Sequence, residues 1–576
     1  MNNIYKFSFL LLIFFLSFYL FKKETFHSAR IISTLENANA VSINDKITRP
    51  VEKILFQIDD IKNISSTSLY GKSVIDVEIK KNIFKNPQDV WDRLRRKMEN
   101  AKEVVPHNTV IKIDDEIDEV FDVMIALTDK ENNYEKLFDA AQITRDEILK
   151  LKRRSRVEIK GQQQEVLYLY FNDSYFSNLK LTIDAVKKLI QEINADKGGG
   201  YISSYKHFFE INSLNEFISP DEIKKRIINI NNRSIKTGDI FKIEKTIKTP
   251  LETLVKINGK KGLILAVSKK KGANGFLFNK EIYKAIEKIK KDYKNFDVEI
   301  VYMKKNFIKN LLTDSNFYPV KYEIKNGADF NKTIFLTEKI EAFLKNNKNR
   351  SYISFMGTDI PKFNKNYKLK EDRINFAVIF IKGRNSSKEI QNYINKNLSD
   401  VIVLDGNKET KIRILSNNLN ELLDLKENIR NKISKLKGVY SIQDDFGSFS
   451  PVFNVKADEN SSVLKGISPY YIFSFLNGFY NGEILTYYYR NDIKIPVILK
   501  GEENKKIESL SLYSPVLKKV IPIGEIVKVD TSFVLSKIKR FNNFYSITFA
   551  IRGGNVKEIK KILDNTPYIK YEILKK

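Results

Sequence analysis

The chain has 576 residues, of which 42% are hydrophobic and 12% aromatic, so it can bury a sizeable core, and an intrinsically disordered chain is excluded. It contains no cysteine and three histidines, which excludes disulfides and a cysteine nucleophile and argues against a histidine zinc site. The formal net charge of +28 raises nucleic acid as a partner, but Lys, Asn and Ile are abundant throughout, as in AT-rich coding sequences. We interpret the charge mainly as coding bias and expect no nucleic-acid partner.

An uncharged apolar run, FSFLLLIFFLSFYLF, occupies residues 7–21. With its flanks it reaches about 18 residues, which is marginally enough for a tilted helix to cross a hydrocarbon core of about 30 Å. A cleaved signal peptide is the alternative, because the length suits its apolar region, but no small-x-small cleavage site follows. We predict an uncleaved transmembrane anchor over 1–26 and no second spanning segment.

After this segment, strands alternate with amphipathic helices. A helix is predicted from Asn86-Pro87, where asparagine suits the cap and proline the first helical position. Further helices are predicted over 279–292, 419–437 and 555–564, and strands over 73–80, 166–171, 263–267, 296–302, 375–381 and 545–551. Strands joined by single helices favour split βαβ sandwiches, an α+β fold with helices on one face of a small sheet.

The same order of sequence patterns occurs twice, about 286 residues apart, as Gly161 and Gly447 illustrate. EVLYLYFND (165–173) matches PVFNVKADE (451–459), and GDIFKIEKT (238–246) matches GEIVKVDTS (524–532). This period is too long for a solenoid. It predicts two tandem copies of a large unit, over about 27–313 and 318–576.

No motif for catalysis stands out. The chain lacks a P-loop and a G-x-S-x-G nucleophile elbow. The acidic run over 114–119 could hold a cation and the basic run over 150–156 a phosphate, but a solvated loop and a helix C-terminus explain these runs as well. We therefore expect no enzyme, no catalytic residue, no cofactor and no metal site.

Residues 28–106 resemble the start of the periplasmic region of resistance-nodulation-division (RND) efflux transporters of the acriflavin-resistance type. The family's helix pattern V..xIt.PiE is present at 41–52, and its phrase i..i.S.S..G.s.i.v.f at 61–79. A family helix that ends in Leu-Pro ends here in Val-Pro at 105–106. The order of these motifs, together with the repeat, extends the resemblance over nearly the whole chain.

The resemblance implies a tandem repeat in which each half has two ferredoxin-like split βαβ porter subdomains and an inserted docking segment. After the N-terminal anchor, it places in the first half the porter subdomains N1 (27–133) and N2 (134–177 and 250–313) and a docking segment (178–249). In the second half it places the porter subdomains C1 (318–407) and C2 (408–465 and 537–576) and a docking segment (466–536).

The resemblance also implies an inner-membrane location with the bulk of the chain in the periplasm. It implies assembly as a homotrimer, with a periplasmic adaptor protein and an outer-membrane channel as partners and hydrophobic small molecules as cargo. The family's six membrane helices between the halves have no counterpart in the expected join at 314–323, so we expect a separate transmembrane subunit to supply the proton relay. The alternative is a membrane-anchored periplasmic scaffold that no longer transports.

The resemblance implies that Phe355, Phe363 and Lys160 contact the substrate. Both phenylalanines lie in SYISFMGTDIPKF, the segment where drug-type members carry pocket aromatics, and core packing is the alternative for each. Lys160 precedes Gly161 at a position where such members often carry an aromatic residue. The five methionines are not paired in sequence, which disfavours the thioether relay of metal-exporting members.

Overall fold

The structure, a computed structural model, describes residues 28–574 except 81–86, 130, 132, 195–200, 205–206, 212–216, 218, 305–316, 326–328, 347–350, 366, 371, 405–408, 448, 491–492, 503–504 and 567–569. The predicted anchor therefore lies outside the described residues. Within the described part of the chain, no helix is long and apolar enough to cross a membrane.

The first half of the chain alternates strands with short helices. Its strands are β1 (Ser28–Thr34), β2 (Ile61–Leu69), β3 (Lys72–Ile79), β4 (Val110–Asp114), β5 (Val123–Thr128), β6 (Arg154–Lys160), β7 (Glu165–Phe171), β8 (Tyr201–Ser204), β9 (His207–Glu210), β10 (Ile227–Ile230), β11 (Arg233–Lys236), β12 (Lys242–Ile247), β13 (Leu254–Ile257), β14 (Lys260–Lys269) and β15 (Asp297–Met303). Its helices are α1 (Ala40–Ile43), α2 (Arg49–Leu55), α3 (Pro87–Ala101), α4 (Tyr134–Leu149), α5 (Asp173–Asn178), α6 (Ile183–Ile193), α7 (Pro220–Lys225), α8 (Thr237–Ile240) and α9 (Gly275–Asp292), with a π-helical turn (Asn44–Thr48) between α1 and α2.

The second half follows the same order. Its strands are β16 (Phe317–Ile324), β17 (Tyr352–Met356), β18 (Phe376–Lys382), β19 (Val401–Val403), β20 (Glu409–Ser416), β21 (Val439–Asp444), β22 (Phe449–Ala457), β23 (Glu483–Arg490), β24 (Ile493–Gly501), β25 (Ser511–Ser514), β26 (Lys519–Pro522), β27 (Val527–Leu535), β28 (Lys537–Phe541), β29 (Phe544–Gly553) and β30 (Lys570–Leu574). Its helices are α10 (Phe330–Asn346), α11 (Arg384–Asn397), α12 (Leu419–Ser434), α13 (Glu459–Leu464), α14 (Pro469–Tyr480) and α15 (Val556–Asp564), with 3₁₀ turns at Ile507–Ser509 and Ile523–Glu525.

The predicted helices and strands are present, which confirms the α+β fold. The largest difference is at α9, which begins at Gly275 instead of 279. Asn274 caps this helix, because its side chain accepts hydrogen bonds from the backbone N–H groups of Phe276 and Leu277. A cap at this position adds one turn that the apolar stripe alone does not indicate.

Two nine-stranded sheets form most of the larger compact unit, whose described residues lie within 28–162, 252–450 and 534–574. The first sheet has the order β30-β20-β29-β28-β2-β3-β1-β4, with β21 beside β29, and the second has the order β15-β5-β14-β13-β17-β18-β16-β19, with β6 beside β14. Helices α3, α12 and α15 pack on one face of the first sheet, and α4, α9, α10 and α11 pack on one face of the second.

Each of the two sheets joins strands of both halves of the chain. In the first sheet, β2 of the first half pairs with β28 of the second half, through residues 65–69 and 537–541. In the second sheet, β13 of the first half pairs with β17 of the second half, through residues 254–257 and 353–356. We name these pairings the first seam and the second seam.

The smaller compact unit comprises residues 163–251 and 451–533. Its centre is a four-stranded sheet of order β12-β7-β24-β23, in which β24 lies parallel to β7. Phe171 and Phe176 pack with Phe475 and Phe479 in its core, with ring centroids 4.4 to 6.0 Å apart. This unit takes in most of the two segments that the sequence indicates as docking segments.

The sheets differ from three of the boundaries expected from the sequence. β5 lies between β14 and β15 in the second sheet, although the boundary at 133 assigns it to N1, and β7 lies in the smaller unit, although the boundary at 177 assigns it to N2. Both strands are apolar on both faces, so each requires a neighbour on either side. The expected join at 314–323 is largely strand, because β16 begins at Phe317 and pairs with β18 and β19.

Candidate substrate-binding site

An aromatic cluster covers the face of the second sheet that is opposite its helices. Side chains alternate between the two faces of a strand, so Met124 of β5 and Ile264 of β14 point into this cluster while their neighbours face α4 and α9. Phe380 lies at its centre, with ring centroids 4.8 Å from Phe317 and 5.1 Å from Phe363. The second seam passes beneath it, so both halves of the chain contribute rings or apolar side chains to the cluster.

The described residues between β17 and β18, which are 357–365, 367–370 and 372–375, lie over this cluster, and we name them the covering loop. Ile360, Phe363 and Tyr367 of the loop are buried in the cluster. The loop begins at Gly357, which has a φ of +73° and a backbone so close to Glu252 that a Cβ would lie 1.8 Å from the carbonyl oxygen of that residue. Only glycine fits this approach, so the start of the loop is fixed sterically.

A buried carboxylate fixes the loop over the sheet. Asp359 is 2% exposed and lies 3.4 Å from the Nζ of Lys321 on β16. Its oxygens accept hydrogen bonds from the Tyr367 hydroxyl and, at 2.8 Å each, from the N–H groups of Ile360 and Lys370. Burial raises the pKa of Asp359, and Lys321 and the hydrogen bonds offset this only in part. The ion pair thus ties the loop to β16 at a buried point.

A second set of charges meets the loop from β6. The Lys160 ammonium lies 2.8 Å from the Glu158 carboxylate and also in the field of Asp372, at the end of the loop. Burial lowers the pKa of Lys160, but Asp372, Glu158 and Asp359 together raise it above its ordinary value. Burial raises the pKa of Asp372, but Lys160 and hydrogen bonds from Thr358 and the Asp359 N–H outweigh this and lower it.

The structure places the three sequence-predicted site residues around this loop. Phe355 and Phe363 lie in the same cluster, 0% and 8% exposed. Lys160 lies among the charges that hold the loop, with its side chain 18% exposed. Their burial is also what core packing predicts for the two phenylalanines, so the fold alone does not assign them a role in binding.

Sequence reasoning missed the groups that hold the loop in place. Asp359 carries the one available signal, since it is an acid inside the otherwise apolar or neutral stretch SYISFMGTDIP. Its partner Lys321 and the rings of Tyr302 and Phe317 gave no signal, because their contacts join strands and loops distant in sequence.

The acidic and basic runs noted in the sequence are used in ion pairs. Asp114 lies 2.9 Å from Arg156, joining the two runs, and Asp118 lies 2.7 Å from Lys362 of the covering loop. Burial raises the pKa of Glu116, which lies between these two acids in sequence. These pairings favour the structural interpretation of both runs over a cation or phosphate site.

The corresponding positions across the strands of the first sheet carry polar side chains beside one aromatic ring. In the second sheet Ile353 pairs with both Ile257 and Phe380. In the first sheet the position corresponding to Ile353 is occupied by Ser65, which pairs with both Phe541 and Asp76. These three residues, with Arg413 and Glu572, line a groove of about 480 Å³. The two seams therefore carry surfaces of different chemistry.

Comparisons with known proteins agree with the fold and with the efflux family suggested by the motifs. The AcrB/AcrD/AcrF family model matches residues 20–317. The multidrug resistance protein MdtC of Yersinia enterocolitica is 21% identical over 248 residues, which are 42% of this chain and 24% of that protein. MdtC of Photorhabdus laumondii is 20% identical over 248 residues, so the chain matches these curated relatives over about a quarter of their length.

Solved structures also resemble the chain. The crystal structure of a heavy metal efflux pump superposes with a TM-score of 0.77, over 99% of this chain and 82% of that chain. The sequence identity is 10%, so this similarity shows a shared fold.

Proposed function

The chain belongs to the AcrB/AcrD/AcrF family of RND efflux transporters, and from this premise we propose that it is a periplasmic porter part that binds hydrophobic or amphipathic solutes and passes them on. Members of the family are inner-membrane transporters with much of their mass in the periplasm. The observation that carries the proposal is the aromatic cluster under the covering loop, at a sheet built by both halves.

The chemistry of the cluster suits a solute with an apolar body and a polar end. Aromatic rings offer large contact areas, and their contacts with each other are replaced at little net cost by contacts with a bound aromatic or aliphatic solute. In this proposal Phe355 and Phe363 provide such area, and Lys160, which is paired with Glu158, meets the polar end. Because both rings are buried, binding requires the covering loop to move away from the sheet.

We propose that the energy for transport comes from another chain. The connection between Met303 and Phe317 is shorter than the roughly 20 residues that one membrane-spanning helix needs. No bundle of membrane helices is therefore inserted between the halves. A separate transmembrane subunit would supply the proton relay, and a homotrimer with a periplasmic adaptor and an outer-membrane channel would complete the path.

A non-transporting scaffold is the second candidate. The observation that favours it is the burial of the whole cluster, which leaves Phe355 0% exposed. A scaffold would keep the fold and its partners, and the cluster would serve only as a core.

Binding of Nile red, a neutral hydrophobic dye, to the purified full chain separates these functions. We expect saturable binding that Phe363→Gln weakens, because an amide replaces a ring of the cluster. Phe479→Gln is the matched control, since Phe479 is a buried ring of the smaller unit. Circular dichroism checks that both variants are folded. Equal affinity in the wild type and both variants, or no saturable binding at all, would contradict the transport proposal and favour the scaffold.

A further inference from the structure

The first seam contains a buried ion pair between the two halves of the chain. Glu52 of α2 is 0% exposed and lies 2.8 Å from the guanidinium of Arg540 on β28. The same carboxylate accepts a hydrogen bond of 2.5 Å from the Ser66 hydroxyl on β2. A helix of the first half is thus tied to the strand that the second half adds to its sheet.

The second seam contains the corresponding contact with the roles of the halves exchanged. Glu341 of α10 accepts a hydrogen bond of 2.6 Å from the Ser354 hydroxyl on β17. Lys256 of β13 reaches the same carboxylate at 3.8 Å and the Glu338 carboxylate at 2.6 Å. Here a helix of the second half is tied to the strand that the first half adds.

The turns that follow β28 and β13 show the same correspondence between the two seams. Asn542, between β28 and β29, has a φ of +45° and accepts a 2.8 Å hydrogen bond from the Ile64 N–H. Asn258, between β13 and β14, has a φ of +50° and accepts a 2.9 Å hydrogen bond from the Tyr352 N–H. The carboxylate–serine contact and the asparagine turn thus occur at both seams. They show that the two seams occupy corresponding positions in the two copies of the internal repeat.

The two seams differ in the cation of the ion pair, which is Arg540 in the first seam and Lys256 in the second. They also differ in the side chains on the sheet face opposite the helices. Arginine presents a planar fork that holds a carboxylate in fixed geometry, whereas lysine is a point charge on a flexible stem. Arg540 reaches Glu52 through its Nε and directs another guanidinium nitrogen to Asn543, whereas Lys256 contacts two carboxylates, Glu338 and Glu341. Its strand neighbours Val255 and Ile257 point to the aromatic cluster while Lys256 points to α10.

We propose that Lys256 is a positioning residue that sets how far the aromatic cluster can open, and thereby limits the size of the hydrophobic solute that the cluster admits. The pairing of β13 with β17 involves four residue pairs, so it is a short seam at which the two parts of the sheet can bend. The ion pairs of Lys256 link β13 to α10 on the helix face of the sheet. This link restricts the bending, and it therefore limits how far Val255 and Ile257 can move from Phe355. This inference deepens the proposed function and rests on it.

Two neutral dyes of different size test the inference on the full chain. We expect Lys256→Met to raise the affinity for the larger dye, Nile red, relative to the smaller N-phenylnaphthylamine by about fivefold, the equivalent of one additional ring contact. The Lys256→Arg variant retains the positive charge and the link to α10, so it should not raise this ratio above the wild-type value. Arg540→Met is the matched control, since it removes the equivalent tie from the seam without the cluster, and it should keep the wild-type ratio.

Each outcome distinguishes this inference from the proposed function. An unchanged ratio in Lys256→Met, or an equal change in Arg540→Met, would overturn the role of Lys256 even though both dyes bind. Absence of binding to the wild type would instead overturn the proposed function. If Lys256→Met does not fold, Glu338→Gln replaces it, because it removes the nearer partner of Lys256 at a half-exposed position. It should change the ratio in the same direction, and an unchanged ratio would again overturn the role.

Discussion

Lys321 and Asp359 are 5% and 2% exposed, and their ion pair illustrates how single residues hold the covering loop. Burying two charges is costly, so such a pair contributes little net stability compared with apolar side chains, but it penalises any state in which one partner is buried alone. The Lys321 ammonium also lies 3.9 Å from the ring centroid of Tyr367. The pair thus favours one position of the loop over neighbouring positions.

Removing one partner of this pair should destabilise the chain strongly. We expect Lys321→Met to lower the free energy of unfolding by about 3–5 kcal/mol, because Asp359 stays buried without its cation. The double variant Lys321→Met/Asp359→Asn should lose clearly less, since no unpaired charge remains. Urea unfolding of the three proteins measures both values. A double variant that is less stable than Lys321→Met would show that Asp359 does not depend on Lys321.

At this scale the sequence indicated apolar residues better than charged ones. Phe355 and Phe363 could be singled out because they lie in a short segment that matches a family pattern. The partner of Asp359 could not, because the pair joins a loop to a strand that precedes it by a whole helix and strand. Local pattern carries information about burial, whereas an ion pair depends on the tertiary arrangement.

The turn that follows β17 is the element on which the position of the covering loop depends. Gly357 and Gly272 both have positive φ, +73° and +77°, but the space around them differs. A Cβ at Gly357 would collide with the backbone of Glu252, whereas nothing lies within 4 Å of a Cβ at Gly272. A substitution at Gly272 therefore tests backbone strain alone, whereas a substitution at Gly357 tests strain and steric collision together.

Alanine substitution at the two positions should have unequal effects. We expect Gly272→Ala to cost about 1 kcal/mol, from the positive φ alone. Gly357→Ala should cost about 1–3 kcal/mol more, because β13 or the covering loop must shift. Thermal and urea unfolding measure the difference, and equal costs would mean that the approach of Gly357 to Glu252 is not tight.

Helices and strands were largely predictable as elements, but their neighbours were not. Short continuous apolar runs located β14 and β18, and the apolar stripe located α12. β5 and β7 pair with strands on the other side of an expected boundary, for one reason. A strand that is apolar on both faces is predicted to lie in the middle of a sheet. Its sequence does not indicate which of several sheets that is.

At the scale of the whole molecule, the two halves depend on each other. The repeat in the sequence predicted two copies, and it did not predict that one strand of each copy pairs with a strand of the other. Pairing between residues 65–69 and 537–541 leaves no local signature, because edge strands of many sequences can accept a partner.

Separated halves should therefore fold only together. We expect residues 28–303 and 317–574, expressed alone, to lack cooperative unfolding, because each would leave the edge of β2 or β17 unpaired. Co-expressed, they should co-purify as a complex that unfolds cooperatively. Circular dichroism and gel filtration measure both properties, and cooperative unfolding of either half alone would contradict the expectation.

The reciprocal strand pairings also bear on the ancestry of the chain. Two halves that pair reciprocally at two equivalent seams have the arrangement of a dimer with two-fold symmetry, which a gene duplication and fusion would have joined into one polypeptide. In such an ancestor every mutation acted at both seams at once, so both had to carry the same surface. Fusion would release this constraint, which accounts for the rings around Phe380 at one seam and the polar side chains of Ser65 and Asp76 at the other.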